Sequence, residues 1–166
     1  MSVKYETKIN KLPKVSATIE TLKGKKIEVG ALKGEHAYLA GIHEYGCRIK
    51  VTDKMRKYLV AQGLYLKDST THITIPERSF LRTSHDEYAD EIAKKASMAL
   101  GQVINGKMSP DTWLDMFGEM MATKVKQYIR DLKSPPNHPF TIYQKGSSNP
   151  LVSTGNLIES ITWEKK

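Results

Sequence analysis

Two amphipathic segments between residues 84 and 132 constrain the fold of this chain more than any other feature. Apolar residues recur at every third or fourth position in both, which predicts one helix from about 84 to 104 and another from about 109 to 132. Each segment opens on a start signal: Ser84 begins a Ser-x-x-Glu capping box, and Ser109 precedes a proline suited to the first helical position. Two long helices with apolar stripes require other elements against which those stripes are buried.

The segments before these helices alternate between apolar and polar positions, which is the period of a strand. The runs 14–22 and 26–32 alternate in this way on either side of Gly24, and together they predict a β-hairpin. Residues 36–46 form a third strand or a short helix, since both faces of this segment carry apolar side chains. The run 71–82 alternates until a proline ends the strand or places it at a sheet edge.

The remaining segments complete the plan of one domain. Residues 52–66 return to a helical period and predict a short helix. The prolines of 133–140 predict a loop, and 156–165 predict a helical turn followed by a strand. We expect a flexible N-terminal arm over residues 1–12 and a single domain over 13–166. The predicted fold class is α+β: an antiparallel β-sheet packed against two long α-helices, with a short helix and a C-terminal strand in addition.

Composition narrows the class of protein. A chain of 166 residues is long enough to form one hydrophobic core, and no apolar run approaches the roughly 20 residues that cross a bilayer. The N-terminus lacks the apolar stretch that a secretory signal needs. Cys47 is the single cysteine, so an intramolecular disulfide is impossible and a reducing compartment is expected. The formal net charge is +8, a balance that suits nucleic acid, an acidic partner or solubility alone.

The stretch around residue 45 concentrates reactive side chains without forming a recognisable catalytic pattern. His43 and Cys47 would lie about 13 Å apart along a strand, and the glycine between them argues against a continuous helix. A zinc site would need three or four ligands, and His36, His43 and His72 do not have the spacing of a metal motif. The phosphate-binding loop pattern is also missing. We therefore predict no catalytic residue, no bound metal and no cofactor.

Three short segments mix apolar, turn and charged residues outside the long helices: AGIHEYG (40–46), IPERSFLR (75–82) and PLVSTGNLIESI (150–161). In this order, with two helices between the second and the third, they resemble the tail-completion, or neck, proteins of tailed bacteriophages, the virion-morphogenesis family. The resemblance covers most of the chain. It departs from the family pattern at Ser79, where a proline is usual, and at Ser153, where an aspartate is usual.

The resemblance implies a structural virion protein rather than an enzyme. Family members assemble as a ring, usually of six copies, that joins the head connector to the tail tube and lets the genome pass. The implied partners are other copies of this chain, the head connector or adaptor protein, and the tail tube or tail terminator protein. Viral DNA crosses the lumen without sequence recognition, and no membrane is involved. The implied location is the neck of the virion, after assembly in the host cytoplasm.

The motif residues are expected to contact a neighbouring subunit or to anchor the core. We expect residues 43–45 at a sheet edge and in an inter-subunit contact. Phe80 and Leu81 are expected to anchor the loop before the long helix, and Leu157 and Ile161 to hold the last strand. The full set is His43, Glu44, Tyr45, Gly46, Pro76, Arg78, Phe80, Leu81, Pro150, Leu151, Thr154, Gly155, Leu157, Ser160 and Ile161.

Three alternatives stay open. The first is a minor tail or tail-terminator protein, which differs only in its position in the virion. The second is a basic DNA-binding module that uses the lysines of residues 1–35, which hold eight Lys against four Glu; its affinity would fall steeply with salt. The third is a small hydrolase, of a toxin-like or nuclease-like kind, that uses His43, Glu44 and a second histidine. In this alternative His43→Ala would abolish catalysis and leave assembly intact.

Overall fold

The computed structural model describes residues 12–166, and residue 12 already belongs to the first helix. The N-terminal arm expected over residues 1–12 therefore lies outside the described residues except for its last position. None of the helices in this described part is long and apolar enough to cross a membrane. In chain order, the elements of residues 12–166 are α1 (Leu12–Leu22), β1 (Ile27–Ala31), α2 (Gly34–Tyr45), β2 (Cys47–Lys50), α3 (Asp53–Ala61), β3 (His72–Ile75), α4 (Phe80–Ile104), α5 (Pro110–Asp131), α6 (Pro139–Lys145), α7 (Asn156–Ser160) and β4 (Ile161–Lys165).

The two long helices form the centre of the fold, which is α+β as predicted. Helices α4 and α5 pack against each other, and α5 also packs against β1 and β4. Strands β1 and β4 pair antiparallel with Val29 opposite Trp163, and β2 and β3 pair antiparallel with Ile49 opposite Ile73. The single sheet that we expected is thus two separate two-stranded sheets, of which the β1–β4 pair lies on the long helices.

The starts of the two long helices differ in how well the sequence marks them. Helix α5 begins as predicted, since Ser109 Oγ accepts the N–H of Thr112 at 3.0 Å and a proline is the first helical residue. Helix α4 begins at Phe80 rather than near Ser84. Ser84 lies inside the helix, and its hydroxyl donates to the carbonyl oxygen of Leu81 at 3.0 Å. The Ser-x-x-Glu pattern is therefore not a capping box here.

The predicted N-terminal hairpin is wrong. Residues 14–22 belong to helix α1, because Val15, Ile19 and Leu22 are also spaced three or four residues apart, a period that a helix satisfies. Strand β1 pairs instead with β4, from the other end of the chain. The sheet on the long helices is therefore built from the two ends of the chain rather than from neighbouring segments.

Residues 36–46 lie in helix α2, one of the two alternatives that the sequence left open, so residues 43–45 are not at a sheet edge. Helix α2 contacts β1, α4 and α7, and Ala40 is buried, whereas Tyr38 and Leu39 are exposed. Helices α3 and α7 and strands β3 and β4 lie where they were predicted. The proline loop is shorter than expected, since Pro139 is the first residue of α6, a position that proline favours.

The core lies between the long helices, α2, α7 and the β1–β4 pair. Phe80, Ile129 and Ile161 have 1% or less of their surface exposed. The predicted anchors Phe80, Leu157 and Ile161 are buried, and Leu81 is half-buried against the same cluster. The buried members of this cluster are Ala40, Phe80, Ala122, Val125, Ile129, Leu151, Leu157 and Ile161.

Gly118 lets strand β4 pack closely on helix α5. A Cβ atom at this position would lie 2.4 Å from two carbon atoms of the Trp163 ring, a distance at which the ring has to move. The indole N–H of Trp163 donates to Glu119 Oε2 at 3.0 Å, which favours the present position of the ring. The absence of a side chain at position 118 therefore sets the separation of α5 and β4.

We expect Gly118→Ala to lower the free energy of unfolding by about 1–3 kcal/mol, because the added methyl displaces Trp163 or shifts α5. Gly101→Ala is the matched control: it lies in α4, where an added methyl meets open space, and it should stabilise the protein by up to about 1 kcal/mol. Chemical denaturation followed by tryptophan fluorescence measures both variants. Equal effects of the two substitutions would contradict the close packing of β4 on α5.

Candidate functional site

The side chain of Glu44, near the end of α2, caps the first turn of α4. Its Oε2 accepts the backbone N–H of Leu81 at 2.8 Å, and its Oε1 accepts that of Arg82 at 3.1 Å. Oε1 also accepts the Ser79 hydroxyl at 2.9 Å and Arg82 Nε at 3.0 Å. A carboxylate here satisfies amide donors that a helix leaves unpaired, and it lies at the positive end of the helix dipole. The first and second motif segments are thereby joined.

The Glu44 carboxylate is ionised although only 2% of the residue's surface is exposed. Burial alone would raise its pKa. The hydrogen bonds from the amides of Leu81 and Arg82, and then from the side chains of Arg82 and Ser79, outweigh burial and hold this pKa below its ordinary value of 4.5. A carboxylate engaged in this way is not free to act as a general base.

Tyr45 and Gly46 complete the contact between the first two motif segments. The guanidinium carbon of Arg82 lies 4.8 Å from the centroid of the Tyr45 ring, within the range of a cation–π interaction. Gly46 ends α2 with φ of +73°. A Cβ atom there would lie 2.9 Å from the backbone nitrogen of Glu77 and 3.0 Å from the carbonyl oxygen of Ile75. Both the backbone conformation and the close approach therefore require glycine.

Arg78 is also a buried charge, with 4% of its surface exposed. Its backbone N–H donates to the carbonyl oxygen of His43 at 2.7 Å. Its guanidinium donates from Nε to Pro135 O at 2.8 Å, and from Nη2 to Pro136 O at 3.2 Å and Asn137 Oδ1 at 3.0 Å. The planar set of donors on arginine suits several acceptors at once. Arg78 therefore ties the second motif segment to the proline loop after α5.

Asn149 fixes the start of the third motif segment. Its Oδ1 accepts the N–H groups of Leu151 at 2.8 Å and Val152 at 3.0 Å, as in an Asx-turn. Its Nδ2 donates to the carbonyl oxygens of Ile129 at 3.1 Å and Arg130 at 2.9 Å, in the last turn of α5. Carbonyl groups at a helix end lack partners within the helix. One amide side chain thus joins the end of α5 to the third segment.

Lys145 and Asn137 hold the same turn from the other side. Lys145 Nζ donates to the carbonyl oxygens of Asn149, Pro150 and Val152. Asn137 Nδ2 donates to the carbonyl oxygens of Asn149 at 3.3 Å and Pro150 at 3.4 Å. Since Asn137 also accepts from the buried arginine, hydrogen bonds connect all three motif segments. We define the polar junction as Glu44, Arg78, Asn137, Lys145 and Asn149.

A cavity of about 260 Å³ lies beside the polar junction, and its lining includes His36, His43, Lys145 and Thr154. His43 Nδ1 is buried and has no hydrogen-bond partner within residues 12–166. Burial, and then the positive charges of Arg78 and Lys145, lower the pKa of His43 and favour the neutral imidazole. Burial, and then the charge of Arg78, also lower the pKa of Lys145.

The rest of the third motif segment turns the chain into the core. Thr154 Oγ1 accepts the amide two residues further on at 3.4 Å, and Gly155 adopts a φ of +92° just before α7. The Ser160 hydroxyl donates to the carbonyl oxygen of Leu157 at 2.8 Å. Leu157 and Ile161 then bury their side chains in the core. These residues shape the turn that places β4 beside β1.

The structure places the predicted site residues in two groups. The first group lies at or next to the polar junction and comprises His43, Glu44, Tyr45, Gly46, Pro76, Arg78, Phe80, Leu81, Pro150 and Leu151. The second group forms the turn into β4 and comprises Thr154, Gly155, Leu157, Ser160 and Ile161. The sheet-edge expectation for residues 43–45 is wrong because this run lies in α2. Its expected contact with a neighbouring subunit stays a prediction.

Five residues that build the site were not predicted as site residues: Ser79, Arg82, Asn137, Lys145 and Asn149. Asn149 carries a usable signal, because asparagine directly before proline favours a turn. Asn137 and Lys145 bind carbonyl groups that the fold alone brings near them, so local sequence patterns do not mark them.

The hydrogen bonds of the polar junction hold the three motif segments together. The Glu44 carboxylate is fully engaged, and Cys47 begins strand β2. Within residues 12–166, no group of three or more His, Cys, Asp and Glu side chains could hold a metal ion. Of the three histidines considered from the sequence, His36 and His43 border one cavity, whereas His72 lies in β3.

We expect Glu44→Gln to lower the free energy of unfolding by about 3 kcal/mol, because the amide replaces a charged acceptor by a donor that faces the N–H groups of α4. Glu77→Gln is the matched control. It also removes a carboxylate bound to Arg82, but the Glu77 side chain is 56% exposed, and such pairs contribute under about 1 kcal/mol. Urea denaturation at neutral pH measures the free energy of unfolding of both variants. A loss for Glu44→Gln no larger than that of the control would contradict the buried cap.

The same carboxylate makes stability depend on pH. Because folding lowers the pKa of Glu44, its contribution is complete above the ordinary value of 4.5 and is lost as the pH falls through the lower folded-state pKa. The unmodified protein should therefore lose more stability than Glu44→Gln when the pH is lowered from about 5 to about 3. Denaturation curves across this range measure the difference. Parallel declines of the two proteins would be inconsistent with a lowered pKa.

No family model matches this chain. Searches among curated proteins and among solved structures likewise return no match.

Proposed function

We propose that this chain is a structural protein of the neck of a tailed bacteriophage. It forms a ring, of six copies by the family resemblance, that joins the head connector or adaptor protein to the tail tube or tail terminator protein. The genome passes through the ring without sequence recognition. In this role the chain uses no catalytic residue, metal or cofactor, and its location is the virion, after assembly in the host cytoplasm.

The polar junction is the observation that carries this proposal. The three segments that resemble the neck family are far apart in the sequence, and Glu44, Arg78 and Asn149 bind them into one region. In that region the charged side chains bind backbone groups, which leaves little polar chemistry for a substrate. Motif residues that determine geometry in this way support a structural task over an enzymatic one.

Helix α1 offers an apolar surface on which a second copy can pack. Within the described structure none of its residues is buried. Val15, Ile19 and Leu22 nevertheless recur at helical spacing, and with Leu100 and Ile104 of α4 they line an apolar groove of about 400 Å³. A helix of 11 residues is marginally stable in water by itself. Burial of this stripe against another subunit would therefore stabilise it.

Helix α2 offers a second apolar surface, where Tyr38 is 75% exposed and Leu39 is 40% exposed. Among the described elements, α1 and α2 do not make extensive contacts with each other. A closed ring needs two different surfaces that meet head to tail. We assign the α1 groove of one copy to the α2 surface of the next.

Native mass spectrometry and light scattering of the purified protein test the ring. We expect a species of several chain masses, or a monomer that forms one when it is mixed with phage head or tail particles. Ile19→Lys should lower the assembled fraction about tenfold or more, because it places a charge in the apolar groove.

Ala17→Lys is the control for this variant, since it adds the same charge about 200° around α1 from Ile19. Its assembly should match that of the unmodified protein. A protein that stays monomeric at every concentration and ignores head and tail particles would overturn the proposed function. Equal assembly of the two lysine variants would overturn the assignment of the interface to α1.

A further inference from the structure

Residues 47–75 form an extension that leaves the body of the domain after Gly46 and returns at Pro76. It contains β2, α3 and β3, and Cys47 pairs with Ile75 at its base. Strands β2 and β3 make their extensive contacts with each other, and among the described elements α3 makes none with the core helices. We call this segment the basic extension.

The basic extension carries half of the protein's net charge. It holds six Lys and Arg side chains against two Asp, a net +4 in a chain of net +8. Within the part of the chain that the structure describes, the exposed cations of this segment have no carboxylate partner in an ion pair. These exposed cations are Arg48, Lys50, Lys54, Lys57 and Lys67.

Several lysines outside residues 47–75, in what we call the body of the domain, differ from those of the basic extension because they bind carboxylates. Lys95 and Lys124 lie 2.6 and 2.7 Å from the carboxylate oxygens of Glu91, and Lys165 lies 2.8 Å from Asp111. The charges of the basic extension are not compensated in this way. The extension therefore presents a positive surface to whatever lies next to it.

Arg56 differs from these exposed cations because its side chain is bound within the extension. Its Nη1 donates to the carbonyl oxygens of Leu66 at 3.2 Å and Lys67 at 3.1 Å. Its Nη2 donates to the carbonyl oxygen of Thr70 at 2.8 Å. These bonds hold the loop between α3 and β3 against the helix, so the remaining charges project from a scaffold with its own internal contacts.

The exposed charges are arranged on regular elements. Arg48 and Lys50 lie on the same exposed face of β2, because they are two residues apart. Lys54, Lys57 and Tyr58 lie on one side of α3, at spacings of three and four residues. A linear polyanion can bind several of these groups at once.

Exposed aromatic rings accompany the charges, since Tyr58 is 63% exposed and Tyr65 is 76% exposed. Rings beside cations provide stacking surfaces for the unpaired bases of a single strand while the cations bind phosphates of a single strand or a duplex. An acidic protein surface would use the same cations but would have less use for exposed rings. The combination of exposed rings and cations therefore favours nucleic acid over an acidic protein as the ligand.

We propose that the basic extension binds the phosphate backbone of nucleic acid without reading its sequence. Phosphate contacts position a protein on the strand and carry no base information. The inference rests on the proposed function for its ligand in the virion, the genome that crosses the ring. The binding itself belongs to one protomer, so it can be measured whether or not a ring forms.

Fluorescence anisotropy with short labelled DNA duplexes of two unrelated sequences, at several KCl concentrations, tests this proposal. The double variant Lys54→Gln with Lys57→Gln should bind about tenfold or more weakly, and its salt slope should be smaller by about 1.8. Lys94→Gln with Lys107→Gln is the matched control, because it removes two exposed charges from the body. The control should bind within about twofold of the unmodified protein, and the two sequences should bind equally.

Equal loss of affinity in the two double variants would overturn the proposal, because net charge alone would then explain binding. Absence of DNA binding in the unmodified protein would also overturn it. Native mass spectrometry at the assay concentration shows whether the protein in the binding assay is a monomer or a ring. DNA binding by a monomer supports the inference even if the ring fails, and a ring that does not bind DNA overturns the inference alone.

A second variant distinguishes nucleic acid from an acidic protein. Tyr65→Ala should weaken binding to a labelled single strand about fivefold or more through lost stacking, and leave binding to polyglutamate unchanged. Tyr143→Ala is the control, since Tyr143 is 84% exposed on α6, outside the extension. Tighter binding to polyglutamate than to DNA, with no effect of Tyr65→Ala, would assign the surface to an acidic protein and overturn the proposal.

Discussion

Glu44 of α2 places a carboxylate at the start of α4, and this contact holds the first two motif segments together. Ser79, the residue directly before α4, makes no side-chain hydrogen bond that caps the helix. Glu44 supplies the missing acceptor from α2, and it binds the amides of Leu81 and Arg82. Because Phe80, the first residue of α4, is fully buried, the same bonds fix where the helix enters the core. The cap of α4 therefore also fixes the position of this helix relative to α2, which is distant in the sequence.

Charge is used in two different ways in this molecule. In the body, Glu44 and Arg78 are buried and bind backbone groups, so that they stabilise one arrangement of the three motif segments. In residues 47–75 the exposed cations have no carboxylate partner among the described residues. The first use supports a structural role for the motifs, and the second gives the protein a surface suited to a polyanion. The proposed ring, through which DNA passes, needs both a fixed geometry of its motif segments and a surface suited to a polyanion.

Local patterns predicted much of the fold, and the failures have physical causes. The Ser109 cap and the apolar stripe behind it identify α5, because both depend on residues a few positions apart. The apolar residues of 14–22 fit the period of a strand and that of a helix, so the pattern does not distinguish these two structures. The capping role of Glu44 could not be predicted from local patterns. The backbone amides that donate to its carboxylate belong to Leu81 and Arg82, which lie far from it in the sequence. The resemblance located the motif segments but did not reveal the contacts of Asn149 within them.

The Glu44 carboxylate is buried, and hydrogen bonds from the start of α4 favour its ionised form. A carbon-13 NMR titration of this carboxyl group in the folded protein tests this directly, with the signal assigned by its absence from Glu44→Gln. We expect a pKa below the ordinary value of 4.5, because four hydrogen-bond donors stabilise the charged form. A pKa at or above 4.5 would show that the carboxylate does not accept these bonds and does not cap α4 in its ionised form.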